Sequence, residues 1–184
     1  MAYTRDDAYE THKDYKENVN LWEYFIRSYN GGYDYTIGQY LNRYNLELDN
    51  EYNQRLGNTP CDNHCKNIIQ IYSSFLFRVK ASRDFGSMAE EPSLESFLKD
   101  ADLEGNNFNS VMKQAQNYAA IYGHTFLILD KPAIQTRTRA EELNQEIRPY
   151  ISIVTPENVL DWNFKREVNG KYYLDYLKVR EEVD

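Results

Sequence analysis

Residues 108–132, FNSVMKQAQNYAAIYGHTFLILDKP, decide the fold. The first part of this stretch spaces its apolar side chains at helical intervals, which predicts a helix that ends at Gly123. Residues 125–129 form a short apolar run that is typical of a buried strand, and Asp130-Lys131-Pro132 ends it. A helix followed directly by a strand indicates a fold that contains both kinds of element.

Upstream of this stretch the sequence predicts further helices. Residues 18–29 carry apolar side chains on one side, and Asn30-Gly31-Gly32 ends that helix. Residues 46–56 place their acidic side chains early and Arg55 late, which is the charge order that complements a helix dipole. Between these two helices, residues 33–44 look irregular and include a short extended piece.

The most apolar predicted helix follows Pro60, and Asp62 is its expected N-terminal cap. Its apolar positions recur at helical spacing: Cys65, Ile68, Ile69, Tyr72, Phe75, Leu76 and Val79. Because Ile71 and Phe77 lie off this face, the helix is apolar on more than one side. We therefore expect it to be central to the core.

Downstream of residue 132 the sequence predicts strands. Residues 148–154 are rich in β-branched side chains, and Thr155-Pro156 marks the start of a short helix. Residues 162–168 and 172–179 flank Asn169-Gly170, a strong signal for a β-hairpin.

The order of these elements predicts the fold class and the domain organisation. The class is α+β, with N-terminal helices followed by a small mixed or antiparallel sheet and a C-terminal hairpin. Residues 1–17 lack apolar periodicity, so we expect a flexible N-terminal arm, and residues 18–184 are expected to form one domain.

Composition restricts the classes of partner. The chain has 184 residues, a net charge of −8 and a pI near 5.0, which disfavours nucleic-acid binding by phosphate neutralisation. No apolar run is long enough to span a membrane, and residues 1–15 do not resemble a secretory signal. The 17 Tyr residues supply aromatic area with a polar tip, a combination suited to surfaces shared with neighbouring molecules.

Two short motifs suggest metal sites, and both are incomplete. Residues 100–105, DADLEG, begin like a calcium loop, but position 12 is Val111 where a bidentate Glu is required. Cys61, His64 and Cys65 could begin a zinc site, but the chain has no second Cys pair. The sequence therefore predicts no metal and no cofactor.

Catalytic motifs are also missing from the sequence. It contains neither a Gly-x-Ser-x-Gly elbow nor a phosphate-binding loop that ends in Lys-Ser or Lys-Thr. His124, between a helix-ending Gly and a strand, is more typical of a structural histidine than of a catalytic base. We expect a structural or interaction protein rather than an enzyme.

The order of segments along the chain resembles the N-terminal part of tailed-bacteriophage portal proteins. The most telling succession is Gly123, a buried strand, Asp-x-Pro, a long polar gap, Arg-Pro-Tyr and Asn-x-x-x-Trp. Further segments in the same order are Tyr40-Leu41, residues 51–56, Asn63, residues 75–78, residues 100–105, residues 140–142, residues 156–162 and residues 179–182.

This resemblance implies a structural role in the virion. The chain would correspond to the wing-like part of a subunit in a dodecameric ring, the head–tail connector at one capsid vertex. DNA would pass through this ring during packaging and ejection without sequence-specific binding, and the partners would be capsid, terminase and tail or adaptor proteins. Localisation would be the virion, and the host cytoplasm during assembly. Because portal subunits continue into a stem, the domain would be incomplete at its C-terminal end.

Six residues fall within the matching segments and are expected to have structural or interface roles. They are Arg55, Asn63, Arg148, Pro149, Tyr150 and Trp162. The arginines are expected to form bidentate hydrogen bonds, and the tryptophan is expected to anchor a core or an interface. Two alternatives stay open: a non-portal virion or head-completion interaction module, and an enzyme or metal protein that uses Cys61, His64, Cys65 and His124.

Overall fold

The computed structural model of the chain describes residues 10–60, 63–133, 138–144 and 147–181. The helices are α1 Lys13–Asn30, α2 Gly32–Ile37, α3 Asp49–Asn58, α4 His64–Leu76, α5 Pro92–Lys99, α6 Phe108–Tyr122 and α7 Arg139–Asn144. The strands are β1 Phe126–Asp130, β2 Tyr150–Val154, β3 Val159–Arg166 and β4 Tyr172–Val179. The α+β class is confirmed, with β1–β2 and β3–β4 as two antiparallel pairs and the second pair as the C-terminal hairpin.

The chain divides into two compact units. The first contains the residues up to Ile71 together with those from Pro156 onward, and the second contains Tyr72–Thr155. The chain leaves the first unit within α4 and returns to it after β2, so the first unit is discontinuous in sequence.

In the first unit, the start of α1 lies against the C-terminal hairpin. The backbone N–H of His12 donates to the carbonyl of Leu160 at 2.9 Å. The hydroxyl of Tyr15 donates to the carbonyl of Glu157 at 3.1 Å. Trp22 of α1 and Val159 of β3 are both buried. These contacts join the two ends of the chain into one unit.

The hairpin turn lies where Asn169-Gly170 predicts it. Strands β3 and β4 pair from Val159 opposite Val179 to Arg166 opposite Tyr172. The N–H of Gly170 donates to the carbonyl of Glu167 at 2.9 Å, and Gly170 has φ +86°. This left-handed conformation is one that glycine adopts without steric strain, and it closes a loop longer than the two-residue turn typical of Asn-Gly.

In the second unit, α6 packs on the β1–β2 pair. The buried core contains Ala101, Val111 and Ile151, and Phe97, Phe108 and Ile153 pack against it partly buried. Strand β1 pairs with β2 from Phe126 opposite Val154 to Asp130 opposite Tyr150. Helix α6 ends at Gly123, which has φ +88°, as the sequence predicts.

The N-terminal boundaries differ from those expected from the sequence. Residues 13–17, expected in a flexible arm, are the first turns of α1, while residues 1–9 lie outside the described residues. His12 caps this helix by accepting from the N–H of Asp14, a local contact that apolar periodicity does not reveal. Residues 33–37, expected to be irregular or extended, belong to α2, because Gly31 at φ +66° lets the chain turn directly into a new helix.

Two elements expected to be buried are not. Strand β1 has a single described hydrogen-bonded neighbour, β2, and exposes Leu127 and Leu129. Among the residues of α4, Ser73 is the one buried side chain. The expectation that α4 is central to the core is therefore wrong, since most of its large apolar side chains are exposed and Ile69 is only half-buried.

Candidate protein interface

The six residues singled out from the sequence are divided between the two units. Arg55, Asn63 and Trp162 belong to the first unit, whereas residues 148–150 belong to the second. Each makes its own local contacts, so the set contains separate structural ties rather than one constellation of reactive groups.

Arg55 of α3 binds Glu47 through two hydrogen bonds. Its Nε is 2.7 Å from Glu47 Oε1, and its Nη2 is 2.7 Å from Glu47 Oε2. Nη2 also donates to the carbonyl of Asn42 at 2.7 Å, and the guanidinium lies 4.4 Å from the centroid of the Tyr44 ring. This is the bidentate geometry expected of an arginine, and it fixes residues 42–47 against α3.

The ion pair changes the acidity of Glu47, whose side chain is 8% exposed. The side-chain hydrogen bond from Arg55 is the largest cause that lowers the pKa of Glu47, from 4.5 to about 2. The same hydrogen bond raises the pKa of Arg55. The carboxylate is therefore held ionised well into acidic solution.

Asn63 caps α4 and ties it to the end of α1. Its Oδ1 accepts from the N–H of Lys66 at 3.0 Å, and its Nδ2 donates to the carbonyl of Tyr29. The side chain lies so close to Gly31 that a Cβ there would come within 2.7 Å of Asn63 Nδ2. Asp62, the cap expected from the sequence, lies outside the described residues.

Arg148 is buried in the second unit and binds Asp100. Its Nη2 is 2.6 Å from Asp100 Oδ2, and its Nη1 donates to the Asp100 carbonyl. The other oxygen, Oδ1, accepts from the N–H of Gly105 at 3.0 Å. The carboxylate of Asp102 accepts from Glu104 and Asn106, so both acids are bonded within the turn.

Pro149 and Tyr150 lie at the start of β2. Pro149 is exposed just before the strand, a position where the missing N–H leaves the ladder intact. The hydroxyl of Tyr150 donates to Asp130 Oδ2 at 3.3 Å, across the pair of strands. Both residues therefore lie at the end of the β1–β2 pair, where Tyr150 is opposite Asp130.

Trp162 lies in β3 opposite Leu177 and is half-buried. Its ring stacks on His12, with the centroids 4.1 Å apart and the planes at 20°. The tryptophan therefore anchors the segment before α1 to the hairpin, rather than filling a closed core.

The feature that sequence reasoning missed is the exposed apolar face of α4. We define the α4 face by five residues of this helix that are each more than half exposed, and it includes Ile71 beside the apolar positions predicted from spacing: Ile68, Ile71, Tyr72, Phe75 and Leu76. Val79, just after the helix, is also exposed. Monomeric proteins rarely leave such a cluster of large apolar groups in water, so this face is a candidate protein interface. The signal in the sequence was the apolar character on more than one side of the helix.

The residues considered for metal or catalytic chemistry are histidines and cysteines, unlike the large apolar side chains of the α4 face. His64 and Cys65 are exposed at the start of α4, Cys61 lies outside the described residues, and His124 packs edge-on against Phe126. Among the described residues, no group of three His, Cys, Asp or Glu side chains is arranged to hold a metal ion. Over the same residues, no helix has the length and apolar character needed to cross a bilayer.

No protein-family model matches this chain, and no curated protein matches it either. The resemblance to portal proteins therefore depends on the order of sequence segments described above.

Proposed function

We propose that the chain is a structural subunit of a phage portal, the head–tail connector ring at one capsid vertex, and has no enzymatic activity. The order of its sequence segments supports this proposal, as does the exposed apolar face of α4. In the proposed ring, this face is covered by a neighbouring copy of the same chain.

The α4 face is the observation that carries the proposal. Each large apolar side chain that passes from exposed to buried contributes about 1.5–3 kcal/mol, so five half-exposed ones supply several kcal/mol to an association. If the α4 face of one copy meets a different surface of the next copy, the contact is head-to-tail and repeats until a ring closes.

The net charge fits a ring that encloses DNA. A chain with a charge of −8 offers few sites at which phosphates would be held, so DNA could pass without being bound tightly. We expect no detectable affinity of the native protein for duplex DNA at physiological salt in a filter-binding assay. Tight binding that weakens steeply with salt would contradict this part of the proposal.

Electron microscopy of the native, full-length protein tests the proposal. The expected particles are rings of about a dozen subunits, the closed cyclic assembly that a head-to-tail interface produces. Particles of monomer size at every protein concentration would contradict it. That result would favour the alternative, a virion or head-completion interaction module that works as a monomer.

A further inference from the structure

The second unit contains a groove with many cations on an otherwise acidic chain. It has a volume of about 630 Å³, and it lies between residues 80–85, the end of α5 and the start of α6. A second, smaller groove adjoins it and shares Lys80, Ala81 and Asn109 with it. The cations that line the two are Arg78, Lys80, Arg83, Lys99 and Lys113, and we call this surface the cationic groove.

Most of this positive charge is not neutralised by acidic side chains of the described residues. Glu95 is the one acid among the described residues that line the groove, and it pairs with Lys99 at 2.7 Å. Among the described residues, Arg78, Lys80 and Lys113 form no ion pair. Cations that repel one another at close range are stabilised when an anion binds between them.

Part of the groove lining is apolar. Phe85, Leu98 and Phe108 line it and are half-buried. A ligand that fits this surface must therefore carry both negative charge and apolar groups.

We propose that the cationic groove binds an acidic, amphipathic peptide segment of a partner protein. Carboxylates of the segment would pair with Lys80, Lys113 and Arg78, and its apolar side chains would lie on the apolar part of the lining. Asn109, in the first turn of α6, also lines the groove, and this turn carries no acidic side chain. The partial positive charge of the helix N-terminus therefore adds to the attraction.

The surface favours a peptide over a nucleic acid. The ring of Phe108, which a base would need for stacking, already has the guanidinium of Arg83 at 4.8 Å from its centroid and Phe97 at 5.6 Å. Three unpaired cations neutralise a short acidic segment, whereas a nucleic acid would extend its remaining phosphates over a chain of net charge −8.

Fluorescence anisotropy with three labelled probes and the full chain tests the proposal. The first probe is a twelve-residue peptide in which Asp and Glu alternate with Leu and Phe. In the second, Asn and Gln replace the acids, and the third is a twelve-nucleotide oligothymidylate. We expect the acidic peptide to bind, and the Lys80→Ala/Lys113→Ala variant to weaken this binding about tenfold, since two charge pairs are lost.

The control variant is Lys16→Ala/Lys171→Ala, which removes two exposed cations from the first unit and should leave the affinity unchanged. Both variants should keep the wild-type melting temperature, because all four side chains are exposed. Any one of four outcomes would overturn the proposal. They are that the acidic peptide does not bind, that the neutral peptide binds as tightly as the acidic one, that the Lys80→Ala/Lys113→Ala variant binds as tightly as the wild type, or that the oligothymidylate binds more tightly than the acidic peptide. The two lysines changed in the groove variant lie outside the α4 face, and the oligomer is measured separately by light scattering, so failure of this proposal is distinguishable from failure of the ring.

Discussion

Arg148 donates hydrogen bonds to both the carboxylate and the backbone carbonyl of Asp100, 48 residues earlier in the chain. Beside this contact, the N–H of Ile151 donates to the carbonyl of Ala101 at 2.7 Å. Ala101 is fully buried, and together these bonds hold the turn after α5 on β2. An ion pair between Arg148 and Asp100 therefore lies beside the core of the second unit and holds the turn in place.

Replacing Arg148 should destabilise the second unit strongly. Arg148→Met leaves the Asp100 carboxylate without its cation near the core, and we expect a loss of about 2–4 kcal/mol in the free energy of unfolding measured by urea denaturation. The control is Lys131→Met, which breaks a more exposed pair with Glu142 and should cost about 0.5 kcal/mol. If the two variants lose the same amount, the Arg148 pair contributes no more than a surface contact.

The Glu47–Arg55 pair should make stability depend on pH in acid. The pKa of Glu47 is about 2 in the folded chain against 4.5 as its ordinary value, so the pair stabilises the fold fully above pH 4.5. This contribution is lost as the pH falls towards 2, because protons then bind the unfolded chain more readily. In thermal melts, the gap between wild type and Glu47→Gln should shrink between pH 5 and pH 2. Arg55→Met removes the cation that lowers the pKa of Glu47, so the gap in melting temperature between wild type and this variant should shrink over the same pH range. A gap that stays constant from pH 5 to pH 2 in both variants would refute this explanation.

Gly31 and Gly32 offer a matched pair of substitutions. Both have positive φ, so an alanine at either position introduces backbone strain of about 1 kcal/mol. At Gly31 the new Cβ would also meet Asn63 at 2.7 Å, whereas at Gly32 no atom lies within 4 Å. In urea denaturation, Gly31→Ala should therefore be less stable than Gly32→Ala by about 1–2 kcal/mol. Equal losses would mean that Asn63 moves aside without penalty.

Trp162 should contribute less than a fully buried tryptophan. Its ring is half-buried and stacked on His12, so we expect Trp162→Ala to cost about 2 kcal/mol rather than the roughly 3–5 kcal/mol of a core truncation. Trp162→Phe keeps an aromatic ring at the stack and should cost about 1 kcal/mol or less. A urea midpoint that does not change in Trp162→Ala would show that the stack with His12 adds nothing to stability.

Local patterns predicted the elements that short-range chemistry determines. Helix α6 ends at Gly123 and the hairpin turns at Asn169-Gly170, since both positions require a backbone conformation that glycine adopts readily. The division into two units was not predictable in this way. It depends on contacts between distant residues, such as Tyr15 with Glu157, that leave no local pattern.

The candidate interface was predictable only in part. The apolar spacing around Ile68 and Phe75 correctly indicated a helix, but periodicity cannot tell whether an apolar face meets the same chain or another one. The bidentate contact of Arg55 follows from the chemistry of a guanidinium, but its partner, Glu47, had no signal in the sequence beyond its charge.

The most direct test of the central claim is the molar mass of the native protein in solution, measured by light scattering. We predict that the wild type is an oligomer and that Ile71→Glu/Phe75→Glu, which places two charges on the exposed face of α4, shifts the mass to that of a monomer. Val168→Glu, a change at an exposed apolar residue of the hairpin turn, should leave the oligomer intact. A monomeric wild type, or an oligomer that persists in the α4 variant, would contradict the claim that this face joins neighbouring subunits.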